Sequence, residues 1–513
     1  MKPRKPQPVS SQKAPWGLKP SAPFARNHES PPPAKRRDTR DSKPPVFSKN
    51  EGAAPKDAGP KPSGLKSARP AKASLSQSGP RRSAPKQSDL RQTGQRPSDS
   101  ASLGTGALIR GRAADRLRSG YLWVYASDIE SVNLPDSSNP PALLSVADNR
   151  GLLLGTALYS PSSQIALRMV SREAIDEAVW LDLLAVRLRT SIVRRLYTLK
   201  TQDSIIDSCR LCFSEADQLP GLIIDKYGPL IIVQRLARGL YTPGVVEVCV
   251  RVLRDLLKPT TILERPDPRI RELEGLPAAD PAPLWAGDPA EPVTSTQFRL
   301  NGLNFQFDAN SGQKTGAFLD QRANYAAAQE WAWFLTPGGR ALDVCTYQGG
   351  FALHLARVCK RVTAIDSSRA SLEVAERNLE ANRDQIGAEV DWVEADAFQI
   401  LRDWSDSGEK FNTIVLDPPA FAKSQRAVEG ALRGYKELNL RALKMLAPGG
   451  LLVTCSCSHH VSWADLEGAV SSAAADAGRR VRLLERRGAA LDHPVVLNLP
   501  ETEYLKCLVL EAE

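Results

Sequence analysis

The run Val-Thr-Cys-Ser-Cys-Ser-His-His at residues 453–460 puts two thiols and two imidazoles at the end of an apolar stretch. Side chains alternate along a strand, so Cys455 and Cys457 share one side and Ser456 and Ser458 the other. A thiolate is a strong nucleophile, but a free cysteine also packs as a small hydrophobe. Upstream, Leu416-Asp417-Pro418-Pro419-Ala420-Phe421 ends a second apolar run. Its prolines lack N–H groups and stiffen the chain. Carbonyls and the Asp417 carboxylate are left to accept hydrogen bonds from a flat amino-bearing ring, on which Phe421 can stack. If the two runs are neighbouring strands, Cys457 and Asp417 flank one crevice. A thiolate there could add to C6 of a pyrimidine and make C5 nucleophilic enough to accept a methyl group. His459, His460 and His493 fall near the same end, as a general base near neutral pH or as packing and helix-start residues.

Three more apolar runs end in acids. Ala341-Leu342-Asp343 leads into Gly349-Gly350 before a helical pattern, where a missing Cβ lets the backbone approach a ligand and helix N–H groups favour it. The three-glycine spacing of a pyrophosphate cradle is absent, which argues against a dinucleotide. Asp366 ends the next run, placed to accept both hydroxyls of a ribose, and Glu394-Ala395-Asp396 ends the third, where a carboxylate can take an exocyclic amine. Such a series fits an adenosine ligand with a zwitterionic tail, the shape of S-adenosylmethionine; helix capping is the competing use of each acid. Cys209 and Cys212 form one C-x-x-C with no second pair, so no metal site is expected, and Cys345 and Cys359 read as structural.

These residues need a scaffold that aligns strand ends. From residue 308 onward seven apolar runs alternate with helical patterns, which predicts an α/β doubly wound, Rossmann-like sheet with ligands at its carboxyl edge. Before it, residues 105–178 read as a small β domain with a hairpin turning at Asp148-Asn149-Arg150-Gly151. A long connecting helix over 176–199 leads into a strand, strand, helix, strand, strand pattern, so that 179–307 form a central α+β unit. Residues 1–104 hold 18 of the 39 prolines and little apolar periodicity, which predicts disorder.

Charge divides the chain in the same way. The first hundred residues carry 22 Lys/Arg against 7 Asp/Glu, while the other 413 carry 46 against 51. That tail reads either as a solubilising segment or as a salt-sensitive RNA tether. No run of about eighteen uncharged apolar residues is present, so no membrane helix is expected. The start has no secretory apolar core and is too rich in proline and acids for a transit peptide. Eight dispersed cysteines suit reduced thiols, so a cytoplasmic location is expected.

With Leu-Asp-Pro-Pro-Ala-Phe, Ser-Cys-Ser-His-His and Gly-Gln-Lys-Thr-Gly-Ala-Phe-Leu-Asp-Gln-Arg in place, residues 105–513 resemble the single-cysteine large-subunit ribosomal RNA cytosine-C5 methyltransferase family. Further motifs share the likeness: 159–171, 210–228 and 492–510. The resemblance implies a PUA-like, barrel-like RNA-binding domain, a central EEHEE domain and a class I methyltransferase domain. It implies S-adenosylmethionine as methyl donor, large-subunit ribosomal RNA as partner and Cys457 as nucleophile. Lys314, Thr315, Gly316, Asp320, Gln321 and Arg322 would lie over the cofactor or shape the active site. Pro418-Pro419 stand where two-cysteine relatives have Pro-Cys, so product release would use another base. Cys455 departs from the single-cysteine pattern, and the first hundred residues have no counterpart. Two other readings stay open: methylation of a guanine nitrogen, and a non-catalytic RNA-binding scaffold. Nothing in the sequence fixes the oligomeric state, a homodimer included.

Overall fold

The structure, a computed structural model, describes residues 105–136, 140–199, 207–276, 279–310 and 316–513. The N-terminal tail that the sequence marks as disordered lies outside the described residues, as do Lys314 and Thr315. In the front of the chain, six strands make one sheet in the order Trp123–Tyr125, Ile165–Ser171, Leu153–Tyr159, Leu143–Asp148, Gly106–Ile109, Ile129–Asn133. Its expected hairpin forms because Asp148 accepts from the backbone N–H groups of Arg150 and Leu152, while Gly151 takes φ +82°.

Helix Glu177–Thr198 starts where Asp176 caps Val179, then buries Trp180, Leu184, Leu188 and Ile192 at four-residue intervals. Arg195 continues that face, and its guanidinium makes paired bonds of 2.5 and 2.6 Å to the equally buried Asp217. A five-stranded sheet follows, in the order Trp285–Ala286, Thr261–Glu264, Leu230–Arg235, Leu222–Tyr227, Ser208–Phe213. The runs at 295–308 do not join it. Ser295–Leu300 and Leu303–Asp308 pair only with each other, and the backbone N–H groups of Gln306 and Asn304 donate to Asn378 on a helix of the C-terminal sheet and to Asn382 just past its end.

That C-terminal sheet has seven strands: β1 Arg340–Val344, β2 Arg361–Asp366, β3 Glu389–Glu394, β4 Phe411–Leu416, β5 Leu446–Ser456, β6 Val481–Arg487 and β7 Lys506–Ala512. Their order is β3-β2-β1-β4-β5-β7-β6, parallel except that β7 runs against both neighbours. Helices α1 (Arg322–Leu335), α2 (Gly350–Leu355) and α3 (Arg369–Glu380) share a core with one face. Helices α4 (Ala397–Ser407), α5 (Val428–Met445) and α6 (Trp463–Asp476) share a core with the other. Both faces are therefore covered, as the apolar character of the strands requires.

The segment between β6 and β7 joins the three sheets. Asp492 accepts the Arg210 N–H of the central sheet and its carbonyl accepts from Arg195. Glu501 accepts the Tyr121 hydroxyl, and Asn498 donates to Ser119 O, both on the N-terminal sheet's flank. Among the described residues no helix is long and apolar enough to cross a membrane.

Candidate active site

A cavity of about 900 Å³ opens along the carboxyl edge of the C-terminal sheet. One end is lined by Tyr347, Asp366, Asp396 and Phe398, the middle by Asp417, Pro418, Pro419, Phe421 and Cys457, and the far end by Arg210, Phe213 and Trp123 of the two preceding sheets. The order follows the topology: loops after β3, β2, β1, β4 and β5 succeed one another along the edge.

The loop after β1 is conformationally unusual. Cys345 (φ +64°) and Tyr347 (φ +52°) are left-handed without being glycine, at about 1–3 kcal/mol each. Several bonds hold it there: Thr346 N to Ile365 O, Tyr347 N to Asp366 Oδ2, and Tyr347 OH to Gly316 O. Asp343 anchors it from below, accepting from the Thr346 hydroxyl at 2.6 Å and from Ala352 N at 2.9 Å. Asp343 is fully buried and absent from the cavity wall, so the expectation that it meets the cofactor is corrected: it organises the loop that lines the cavity. Burial pushes its carboxyl up to about 7.

The glycines need a similar correction. Gly349 begins α2 at φ +86° and is not in the wall. Gly350 is, but a Cβ there would lie 2.5 Å from the Tyr325 ring, so its bareness admits Tyr325 rather than a ligand. Asp366 accepts Tyr347 N on one oxygen and Ser368 N on the other, which fixes its plane while each oxygen keeps a lone pair for a hydroxyl. Asp396 caps α4 through Gln399 N and also lines the cavity, so both readings of that acid apply.

The segment expected over the cofactor divides. Gly316, at φ +139°, packs where a Cβ would strike Phe307, and it is not in the wall. Asp320 lines the cavity and accepts the Tyr504 hydroxyl. Gln321 lines it too, but donates 2.9 Å to Asp417 Oδ2. Arg322 turns away, donating to Ser208 O and Oγ of the central sheet, because it starts α1 against that strand. Its expected cofactor role is thereby corrected to a tie between sheets.

Strands β4 and β5 are parallel neighbours, with Leu416 opposite Thr454. Asp417 and Cys457 follow them at one crevice, and Cys457 Sγ lies 3.9 Å from Pro418 O. Cys455, two residues back on the same side, is sealed in the core opposite Cys507. Its hydrogen-bonded neighbour Cys507 and burial push its thiol well above the usual range. Ser456 and Ser458 point to the other face and bond the Tyr435 hydroxyl. Phe421 lines the cavity with its ring 4.9 Å from Tyr435 and 5.8 Å from Phe398.

Of the histidines, His459 and His493 line the cavity; His493 lies 2.9 Å from Asp492 and stacks near Phe213. Cys345 also lines it, contrary to its structural reading, whereas Cys209, Cys212 and Cys359 are buried. Residues missed from the sequence include Phe318, Tyr347 and Lys506. Lys506 is buried on β7 opposite Ser456, its ammonium held by Ser458 O and Tyr504 O. A single lysine in the apolar run Leu-Lys-Cys-Leu-Val-Leu was the available signal. Among the described residues no group of three or more His, Cys, Asp or Glu could hold a metal.

Residues 108–172 match a PUA-like domain model, and 277–491 match an S-adenosylmethionine-dependent methyltransferase model. The chain is 36% identical over 408 residues to ribosomal RNA large subunit methyltransferase I of Aeromonas salmonicida, covering 79% of this chain and 98% of that one. It is 35% identical over 402 residues to the protein of that name from Erwinia tasmaniensis, at 78% and 97% coverage. A solved SAM-dependent methyltransferase from Streptococcus mutans superposes with TM-score 0.65 at 18% identity, over 79% of this chain and all of that one, which is a likeness of fold. S-adenosylmethionine is the cofactor, and the cavity's carboxylate-and-aromatic end, with Asp366 held open to hydroxyls, fits its adenosine. A doubly wound sheet behind a PUA-like domain, matched over nearly the whole length of these relatives, places the chain in the ribosomal RNA large subunit methyltransferase I family.

Proposed function

We propose that this chain forms 5-methylcytosine in large-subunit ribosomal RNA, with Cys457 as nucleophile. One observation carries the reading: of Cys455 on β5 and Cys457 just past its end, only Cys457 reaches the cavity, whose wall it shares with Asp417. The relatives' names supply the RNA class.

Bound S-adenosylmethionine supplies a methyl group on a sulfonium, electrophilic at carbon. Asp366 would hold the ribose, and Asp396 and Phe398 would bound the adenine. Asp417 accepts from the cytosine amine and fixes the ring over Cys457. The Cys457 thiolate bonds to C6 and drives electron density to C5. Once C5 is methylated, its proton passes to Asp417 or water, the S–C6 bond breaks, and the thiolate returns. The buried Lys506 ammonium, tied to Ser458 O, favours that thiolate by its charge.

Incubating the full chain with large-subunit RNA and mapping the product tests this. The expected product is 5-methylcytosine, lost at least about 1,000-fold in Cys457→Ala and retained within about tenfold in Cys455→Ala. A methylated guanine nitrogen, or full activity in Cys457→Ala, would overturn the reading.

A further inference from the structure

Behind Asp417 runs a head-to-tail line of side chains that the catalytic reading does not use. Arg487 Nε donates 3.1 Å to Asn324 Oδ1, Asn324 Nδ2 donates 2.6 Å to Gln321 Oε1, and Gln321 Nε2 donates 2.9 Å to Asp417 Oδ2. Asn324 and Gln321 are almost wholly buried. At the outer end Arg487 is fixed by Glu485, which also accepts the Trp331 indole N–H.

The polarity of this line is not arbitrary. A guanidinium only donates, so Asn324 must turn its oxygen to Arg487. Its amide nitrogen then faces Gln321, which must present its own oxygen there and its nitrogen to Asp417. The acceptor-only Gly488 carbonyl takes the same Asn324 Nδ2 at 3.2 Å, so two amides that could each be reversed are locked by a donor-only guanidinium and an acceptor-only carbonyl, 163 and 164 residues from Asn324 in sequence. At the inner end, a fixed N–H favours the ionised, accepting form of Asp417.

We propose that Arg487, Asn324 and Gln321 are positioning residues that hold Asp417 ionised and so set base choice. This rests on the reading that Asp417 meets the target base. An accepting carboxylate suits the N4 amine of cytosine and repels the O4 oxygen of uracil. Asp417 is not electrostatically alone: Tyr325, Cys345 and Cys455 feel its charge, and Asp320, Asp366, Asp396, Cys457, His459 and Tyr504 share its cavity.

Asn324→Asp tests the line with little change of shape. The new carboxylate accepts from Arg487 but cannot donate to Gln321, whose amide reverses and turns oxygen toward Asp417. The acid limb of the kcat/KM profile on target RNA should then move up by about one pH unit or more, and the cytosine-over-uracil preference should narrow. Because an added charge could raise that limb directly, Gln321→Met and the double variant complete a cycle. Transmission through the glutamine predicts a double variant that behaves like Gln321→Met alone; additive shifts, or no shift in Asn324→Asp, would overturn the proposal. If Asn324→Asp fails to fold, Asn324→Leu removes the donor to Gln321 without adding charge: the acid limb should rise in the native background and not in Gln321→Met, and a profile coincident with wild type would overturn it. The wild-type product is identified in the same assay, so a product other than 5-methylcytosine marks failure of the underlying base reading, separately from a failed cycle.

Discussion

Two cysteines separated by one residue at the end of β5 lie in different surroundings because the strand stops between them. Cys455 lies within the strand, paired across from Cys507 and covered by the helices of one face; Cys457 lies just past its end, where the covering gives way to the cavity. The same geometry separates the acids. Asp343 is inside β1 and is consumed by its own loop, while Asp366, at the tip of β2, reaches the wall. Residue type and strand end were legible in the sequence; a one-residue difference in depth was not. For Asp343 that depth has a measurable sign. Its carboxyl sits near about 7 against an ordinary 3.8, pushed up by burial. A raised acid contributes stability that is full below its unfolded value and lost as pH rises through its folded value, here between about 4 and about 7. Melting temperatures of Asp343→Asn and wild type should therefore diverge in the variant's favour between about pH 4 and about pH 7 and run parallel above that. A difference that stays flat would refute the assignment.

At the scale of elements, the loop from β1 to α2 is where backbone and side chains constrain each other most. Left-handed Cys345 and Tyr347 are held by Asp343, Asp366 and Gly316 O, and α2 packs so close to α1 that only glycine fits at 350. Gly350→Ala puts a methyl group into Tyr325 and should cost about 1–3 kcal/mol. It should also weaken S-adenosylmethionine binding, since the loop must shift. Gly387→Ala, with nothing within 4 Å, is the control. Denaturation with calorimetric titration checks both, and unchanged values for Gly350→Ala would contradict the packing argument. The alternation of strands and helices showed in the sequence that a loop stood here. That its glycine makes room for an aromatic ring depends on how closely α1 crosses α2, which no local spacing encodes. The misread runs at 295–308 have the same origin: their strand pattern was clear, but the asparagines that receive them lie more than seventy residues on.

Across the whole molecule, the cavity is a joint product. Its chemical middle comes from the C-terminal sheet, its far wall from Arg210, Phe213 and Trp123 of the other two, and the 490–505 segment pins them together. Trp123 itself reaches across, donating to Glu215, which also accepts from Arg168. Such long-range partnerships, like the turn of Arg322 toward Ser208, were invisible in the sequence because they join residues 47 to 114 positions apart. The charged tail, whose composition reads as a solubilising segment or as an RNA tether, lies outside the described residues. The proposed reaction turns on the sulfur of Cys457 bonding to a pyrimidine. RNA carrying 5-fluorocytidine at the mapped target tests this, because fluorine cannot leave C5 as a proton does and the S–C6 bond should persist. Mass spectrometry of the denatured product should show one RNA-linked peptide, bonded through Cys457 and absent from Cys457→Ala. A linkage through Cys455 or Cys345, or methylation of the target cytosine with no adduct, would contradict it.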